Sequence, residues 1–234
     1  MRLVLFDVDG TLITTGGAGM RAFYRALRLI FGVEVIGEAV RPDGKTDPLI
    51  LKELLTHYGL TDRCGDKTRD NLFSSYLSCL EDEMRRAKEC GLIRILPGVV
   101  SLLEMLSAHP DFCVGLVTGN LKRGAEIKLN HAGLDPYFIF GGYGSDSEDR
   151  TELTRIGIQR GIQTIAPSPV EDAFILGDTP LDIIHGHAAG ARVIAVASAG
   201  YGINDLRTYH PDMLVPDLTP AESILRFMQN GQVK

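Results

Sequence analysis

Leu3-Val4-Leu5-Phe6-Asp7-Val8-Asp9-Gly10-Thr11, close to the start of the chain, is the segment most informative about its fold. An unbroken apolar run that ends at a glycine-containing turn is typical of a strand buried on both faces, as in a parallel sheet. Similar apolar runs alternate with helical patterns further along the chain, at residues 113–117, 138–140, 173–176, 193–197 and 213–215. This alternation predicts an α/β fold with a Rossmann-like parallel sheet that is covered by helices on both faces.

A long insert interrupts the alternation directly after the first strand. Apolar residues recur there at helical spacing, for example at Phe23, Leu27 and Ile30, and strand-like alternation is absent. We therefore predict an all-α domain over residues 16–92, inserted into an α/β core formed by residues 1–15 and 93–234. The glycine-rich residues 14–19 are expected to form the joint between the two domains.

Composition excludes several classes of partner. The chain has 234 residues and a formal net charge of −6, which counts against nucleic acid or an anionic membrane surface as a partner. The first apolar run is too short for a signal peptide, and no stretch approaches the roughly 20 apolar residues that cross a bilayer. The four cysteines fit no zinc or redox spacing and are expected to be free thiols. These features predict a cytoplasmic protein. We expect a monomer or a dimer.

Polar side chains follow three of the predicted strands, at the point where each strand ends. They are Asp7 and Asp9, Thr118, and Asp178. Ligands of open α/β sheets bind beyond the carboxyl ends of the strands, so these side chains should meet in one crevice. Carboxylates without histidine or cysteine form an oxygen-only site, which suits Mg²⁺ rather than zinc. A carboxylate can also attack phosphorus, and a second can protonate the leaving oxygen.

The ordered set of motifs resembles that of the haloacid dehalogenase superfamily of phosphohydrolases. Asp7-Val8-Asp9-Gly10-Thr11 is similar to the first motif, Thr118 after its strand to the second, and Gly177-Asp178-Thr179-Pro180-Leu181-Asp182 to the fourth. The helical insert resembles the small (C1-type) cap of that family, and we refer to residues 16–92 as the cap. The resemblance covers essentially the whole chain and is closest to the phosphoglycolate-phosphatase-like branch.

The resemblance implies a role for each of the four carboxylates. Asp7 would be the nucleophile and a Mg²⁺ ligand. Asp9 would be the general acid and then the general base, with its backbone carbonyl on the Mg²⁺ ion. Asp178 would be a direct metal ligand, whereas Asp182 would support the metal site without touching the ion.

The phosphoryl group would be held by the residues of the second motif and by one cation. Thr118 would donate to its oxygens, beside the backbone N–H groups of Gly119 and Asn120. The family usually has a lysine ahead of the fourth motif, and this chain has none between Lys128 and Lys234. Arg150 occupies the corresponding place, and a guanidinium can hold phosphate in a bidentate fork. The alternative is a surface ion pair of Arg150 with its acidic neighbours Glu148 and Asp149.

The segment around residues 41–46 corresponds to the specificity loop of the family's cap. Arg41, Lys45 and Thr46 are candidates for contact with the leaving group. The alternative is that this segment is a solvated turn.

The resemblance and the presence of Asp9 together predict a function. Relatives that dehalogenate lack an acid at this position, so we predict a Mg²⁺-dependent phosphatase that hydrolyses a small phosphorylated metabolite through an aspartyl phosphate. Two alternatives stay open. A sugar phosphomutase of the same fold carries the same acids, and a non-enzymatic phospho-acceptor switch also phosphorylates an aspartate at a strand end, although receiver domains of that kind lack a helical insert.

Overall fold

The computed structural model describes residues 1–34 and 39–230. The strands are β1 (Arg2–Phe6), β2 (Ile13–Thr14), β3 (Arg94–Ile95), β4 (Phe112–Thr118), β5 (Gly141–Tyr143), β6 (Asp172–Gly177), β7 (Arg192–Val196) and β8 (Met213–Val215). The helices are α1 (Ala18–Phe31), α2 (Asp47–His57), α3 (Asp66–Glu89), α4 (Val99–Ala108), α5 (Lys122–Ala132), α6 (Arg150–Ile165), α7 (Pro180–Ala188), α8 (Ile203–Arg207) and α9 (Ala221–Asn230).

Six of the strands form one parallel sheet in the order β5-β4-β1-β6-β7-β8. This confirms the predicted α/β fold. Strand β1 lies in the middle, between β4 and β6, and its side chains enter hydrophobic clusters on both faces of the sheet. Leu3 and Leu5 pack into one cluster, while Val4 and Phe6 pack into the other. Burial on both faces explains why this strand is an unbroken apolar run.

Within the described part of the cap, the secondary structure consists of α1, α2, α3 and a short 3₁₀ turn at Thr61–Arg63. Helices α1 and α3 are held together by Phe23 and Tyr76, whose rings stack with centroids 3.9 Å apart. The hydrophobic cluster of the cap also includes Leu121 and Ile127 of the core. The cap therefore packs against α5, and the domain limits at residues 16 and 92 stay a prediction.

The two chain segments that connect the cap to the core are paired with each other. Strands β2 and β3 form an antiparallel ribbon, in which Ile13 lies opposite Ile95. The predicted joint at residues 14–19 therefore begins inside a strand. Left-handed backbone is confined there to Gly16 and Gly17, with φ of +57° and +82°.

The structure corrects the prediction of a strand at residues 138–140. These apolar residues follow a 3₁₀ turn, and the edge strand β5 is formed instead by the adjacent glycine-containing residues Gly141–Tyr143. Glycine is needed here for close packing. A Cβ at Gly142 would lie 1.9 Å from the carbonyl oxygen of Leu153, so only a bare backbone lets α6 approach this strand.

No helix among the described residues has the length and apolar character needed to cross a bilayer. The four cysteines all lie in the described residues and are free thiols, as predicted.

Candidate active site

The polar ends of three neighbouring strands meet at one edge of the sheet. Asp7 follows β1, Thr118 ends β4, and Asp178 follows β6; all three are buried. Their proximity follows from the register, because Phe6 lies opposite both Leu116 and Leu176 in the adjacent strands. The structure thus brings together the residues that sequence analysis placed in one crevice. They line a cavity of about 360 Å³ between the core and the cap.

The carboxylates of Asp7, Asp178 and Asp182 form a buried cluster in which one oxygen from each lies within 4.8 Å of the others. Burial raises the pKa of Asp178 to about 8, and the charges of Asp182 and Asp7 add to the effect. Burial also raises the pKa of Asp7 to about 7, against the opposing charge of Arg150. A hard divalent cation such as Mg²⁺ prefers oxygen ligands, and in binding here it would displace these protons and neutralise the carboxylates.

The glycine of the first motif permits the close approach of Asp178. Gly10 has a φ of +83°, and a Cβ built on it would lie 2.3 Å from Oδ2 of Asp178. The neighbouring Thr11 hydroxyl donates to Oδ1 of the same carboxylate over 3.1 Å. The turn after β1 therefore both makes room for Asp178 and orients it.

Arg150 is buried at the start of α6, and it contacts the acidic cluster rather than its sequence neighbours. Its Nη2 atom lies 3.5 Å from Oδ1 of Asp7 and pairs with Oδ1 of Asp182. The surface ion pair considered from the sequence is therefore wrong. The other oxygen of Asp182 accepts hydrogen bonds from the backbone N–H and the hydroxyl of Thr179, at 3.0 and 2.7 Å. These bonds belong to the capping box at the N-terminus of α7. Both Asp182 oxygens are thus engaged, in keeping with a supporting role.

Lys128 of α5 is a site residue that the sequence motifs did not predict. Its ammonium lies 2.5 Å from Oδ2 of Asp9 and 2.6 Å from Oδ1 of Asn120. The Asn120 amide in turn donates to Oδ2 of Asp9 and to the hydroxyl of Thr118, both over 2.8 Å. One signal was available in the sequence, since Lys128 shares a helical face with the buried residue Ala125. A lysine on an apolar face is unusual, because lysine is rarely buried without a partner.

The cap loop only partly matches the predicted contacts. Lys45 lines the cavity, but its ammonium pairs with Glu53 over 2.6 Å. Thr46 is the N-cap of α2, where its hydroxyl accepts from the backbone N–H of Leu49, and it is absent from the cavity wall. Arg41 is exposed and also lies outside the cavity wall. Contacts of these three residues with a leaving group stay a prediction.

A second residue missed from the sequence, Asp47, joins the cap to the second motif. Its backbone N–H donates to the carbonyl of Gly119 over 2.7 Å, and its Oδ2 accepts from the N–H of Leu121 over 2.8 Å. Burial raises the pKa of Asp47 to about 6, against the opposing charge of Lys128 and the Leu121 hydrogen bond. The buried carboxyl also lines the cavity, so the cap supplies an acidic group to the same cavity wall as Asp7 and Asp178.

The cap side of the cavity is mostly apolar, although Asp43 lines it together with Lys45 and Asp47. Met20, Phe23, Ile50 and the buried Tyr76 line it. The cavity therefore has a charged floor at the strand ends and a mostly apolar roof. A charged group bound on the floor would be shielded from bulk water when the cap is in this position.

Comparison with known proteins places the chain among hydrolases. A family model described as haloacid dehalogenase-like hydrolase matches residues 1–190. The pyrophosphatase PpaX of Bacillus anthracis is 25% identical over 237 aligned residues, which cover 97% of this chain and 98% of that protein.

Solved structures share the fold. A hydrolase from Pseudomonas syringae has a TM-score of 0.70 and 22% identity, and the match covers 96% of this chain and 97% of that one. A protein described as a predicted phosphoglycolate phosphatase from Haemophilus somnus has a TM-score of 0.67 and 19% identity, with 95% and 97% covered. A β-phosphoglucomutase from Clostridium difficile has a TM-score of 0.69 and 14% identity, with 98% and 97% covered.

Proposed function

The chain belongs to the haloacid dehalogenase-like hydrolase family, and from that membership we propose that it is a Mg²⁺-dependent phosphatase acting on a small phosphorylated metabolite. The observation that carries this proposal is the position of Arg150 against Asp7, inside the buried cluster of three carboxylates. One fixed cation and an oxygen-only metal site beside a carboxylate suit the transfer of a phosphoryl group to that carboxylate.

In the proposed mechanism Asp7 attacks phosphorus and forms an aspartyl phosphate. Asp9 gives a proton to the leaving oxygen, and then takes one from the water that hydrolyses the intermediate. Arg150, the Thr118 hydroxyl and the backbone N–H groups that follow it bind the phosphoryl oxygens. When held by Asp7, Asp178 and the backbone carbonyl of Asp9, Mg²⁺ supplies the positive charge that a phosphate dianion needs beside carboxylates.

The cavity supports a small substrate. A volume of about 360 Å³ lies at the lower end of the range for ligand pockets, and a cavity of this size leaves little room for a macromolecular substrate. The relative from Bacillus anthracis is named a pyrophosphatase and the neighbour from Haemophilus somnus a phosphoglycolate phosphatase, and both names refer to small phosphorylated compounds. We place the proposed enzyme in the cytoplasm, on the strength of its four free thiols.

The test is phosphate release from a panel of phosphorylated metabolites that includes phosphoglycolate, pyrophosphate and β-glucose 1-phosphate, with Mg²⁺ and with EDTA. We expect release that requires Mg²⁺ and that is lost in Asp7→Asn. Isomerised sugar phosphate without phosphate release would instead identify a phosphomutase. A stable phosphoryl adduct on Asp7 without turnover would identify a phospho-acceptor switch, and either result would overturn the proposal.

A further inference from the structure

The two oxygens of the Asp9 carboxylate have different surroundings. Oδ2 accepts from the Lys128 ammonium at 2.5 Å and from the Asn120 amide at 2.8 Å. Among the described residues none donates a hydrogen bond to Oδ1. The side chain of Asp9 is 44% exposed and lines the cavity, so its Oδ1 is the oxygen left accessible to a bound molecule.

The donors on Oδ2 belong to a closely packed part of the core. The Lys128 side chain is only 5% exposed, and its helix is anchored by the buried residues Ala125 and Leu129. Its ammonium is also fixed by the Asn120 carbonyl at 2.6 Å, while the Asn120 amide is tied to the Thr118 hydroxyl. A side chain held in this way by packing and by several hydrogen bonds can set the orientation of its partner.

Burying a lysine is unfavourable unless its charge is paired. Packing alone therefore does not explain why a lysine occupies position 128. We propose that Lys128 is a positioning residue for Asp9. With Asn120 it holds Oδ2, so that Oδ1 is the atom that exchanges protons with the leaving group and with water. This inference rests on the proposed phosphatase function.

In this scheme Oδ1 of Asp9 carries out both proton transfers. As the bond between Asp7 and phosphorus forms and the ester P–O bond breaks, the proton on Oδ1 of Asp9 moves to the departing oxygen. Asp9 is left as a carboxylate. Its Oδ1 next takes a proton from the water whose oxygen attacks phosphorus, which releases phosphate and restores the Asp7 carboxylate.

Leaving-group dependence tests this role. An alkyl phosphate needs a proton on its leaving oxygen, whereas 4-nitrophenyl phosphate releases a stable phenolate without one. The parameter to compare is kcat/KM, because it covers only the steps up to the aspartyl phosphate. In Lys128→Met we expect kcat/KM for glycerol 2-phosphate to fall about 100-fold, the size of a general-acid contribution. We expect kcat/KM for 4-nitrophenyl phosphate to fall no more than about threefold.

Both substrates are measured on the same protein preparation. The ratio of their kcat/KM values then does not depend on the fraction of the protein that is active. Lys122→Met makes the same change at an exposed position of the same helix and should leave both values unchanged. If Lys128→Met does not fold, the same ratio is measured on Lys128→Gln. An equal fall for both substrates would assign Lys128 a merely structural role, and no fall would remove it from the mechanism; either result overturns the inference. Failure of the unmodified enzyme to hydrolyse any phosphate ester would overturn the proposed function itself.

Discussion

The Nη2 atom of Arg150 lies 3.5 Å from Oδ1 of Asp7 and at the same time pairs with Oδ1 of Asp182. Its Nη1 atom donates to the carbonyl of Gly44 in the cap, over 3.2 Å. One buried cation thus joins the proposed nucleophile, a carboxylate proposed to support the metal site, and the cap loop. Substitution of Arg150 should therefore affect both turnover and stability.

For Arg150→Ala we expect turnover to fall at least about 100-fold, because the transferring phosphoryl group loses its fixed cation. We also expect the free energy of unfolding to fall by about 3 kcal/mol, since Asp182 is left as an unpaired buried charge. Steady-state kinetics and urea unfolding measure the two effects. In the double variant Arg150→Met, Asp182→Asn most of the lost stability should return while turnover stays low. Unchanged turnover in Arg150→Ala would remove this residue from the phosphoryl site.

Asp7→Asn should abolish turnover, because an amide neither attacks phosphorus nor binds Mg²⁺ well. The expected loss is at least about 1000-fold in kcat, with the fold retained by circular dichroism. Asp111→Asn makes the same chemical change in an exposed loop and should keep full activity. Phosphate release measured with both variants provides the test, and residual activity near that of the unmodified protein would contradict the assigned nucleophile.

Much of this arrangement can be predicted from sequence, because strand ends are local features. The apolar run before Asp7 fixes a buried strand, and the order of strands then brings Asp178 to the same edge. The positions of Lys128 and Asp47 could not be predicted in this way. Each depends on how a helix packs across the boundary between core and cap, and on which side chain opposes it. The strand at Gly141–Tyr143 was missed for a related reason, since glycine signals a turn locally but here allows a helix to approach.

Gly10→Ala should damage the proposed metal site through a steric contact. The added Cβ would lie 2.3 Å from Oδ2 of Asp178, so that carboxylate has to move. Gly190→Ala is a matched control, because Gly190 has the same φ of +83° and no atom within 4 Å of its Cβ position. Both variants should lose about 1–2 kcal/mol of stability through backbone strain. Only Gly10→Ala should lose Mg²⁺ affinity, measured by calorimetry, and equal affinities in the two variants would contradict the steric argument.

The buried carboxyl of Asp47 should make the stability of the folded protein depend on pH. Its pKa is raised to about 6 in the folded protein by burial, against a usual value of 3.8, so the folded state binds this proton more tightly than the unfolded state. The ionised carboxyl of Asp47 therefore lowers the free energy of unfolding. The loss is absent below pH 4, grows between pH 4 and 6, and is complete above pH 6. The loss in the free energy of unfolding is about 3 kcal/mol at most.

Asp47→Asn keeps an oxygen for the Leu121 N–H and removes the charge. Relative to the unmodified protein, it should gain stability as the pH rises from 4.5 to 7.5, measured by urea unfolding in EDTA. Asp43→Asn, in the exposed part of the same cap loop, controls for the amide substitution itself. A stability difference that does not change with pH would rule out Asp47 as the source.

Binding of Mg²⁺ should release protons at neutral pH. Without the ion the pKa of Asp7 is about 7 and that of Asp178 about 8, both raised above 3.8 mainly by burial, so the site holds at least one proton at pH 7. Metal ligands must be deprotonated, and bound Mg²⁺ therefore displaces that proton. Affinity should rise as the pH increases from 6 to 8.5 and level off once both carboxyls are ionised.

Isothermal titration calorimetry in two buffers of different ionisation enthalpy measures the number of protons released, which we expect to be about one per Mg²⁺ at pH 7. Asp178→Asn should bind Mg²⁺ more weakly and release fewer protons, because one of the two raised groups is gone. Binding of Mg²⁺ to the unmodified protein without proton release would mean that the ion does not bind at these carboxyls. The same titration at pH 8.5 provides a second check on whether Mg²⁺ binds at Asp7 and Asp178. If it does, the number of protons released per Mg²⁺ should fall at this pH while the affinity stays high.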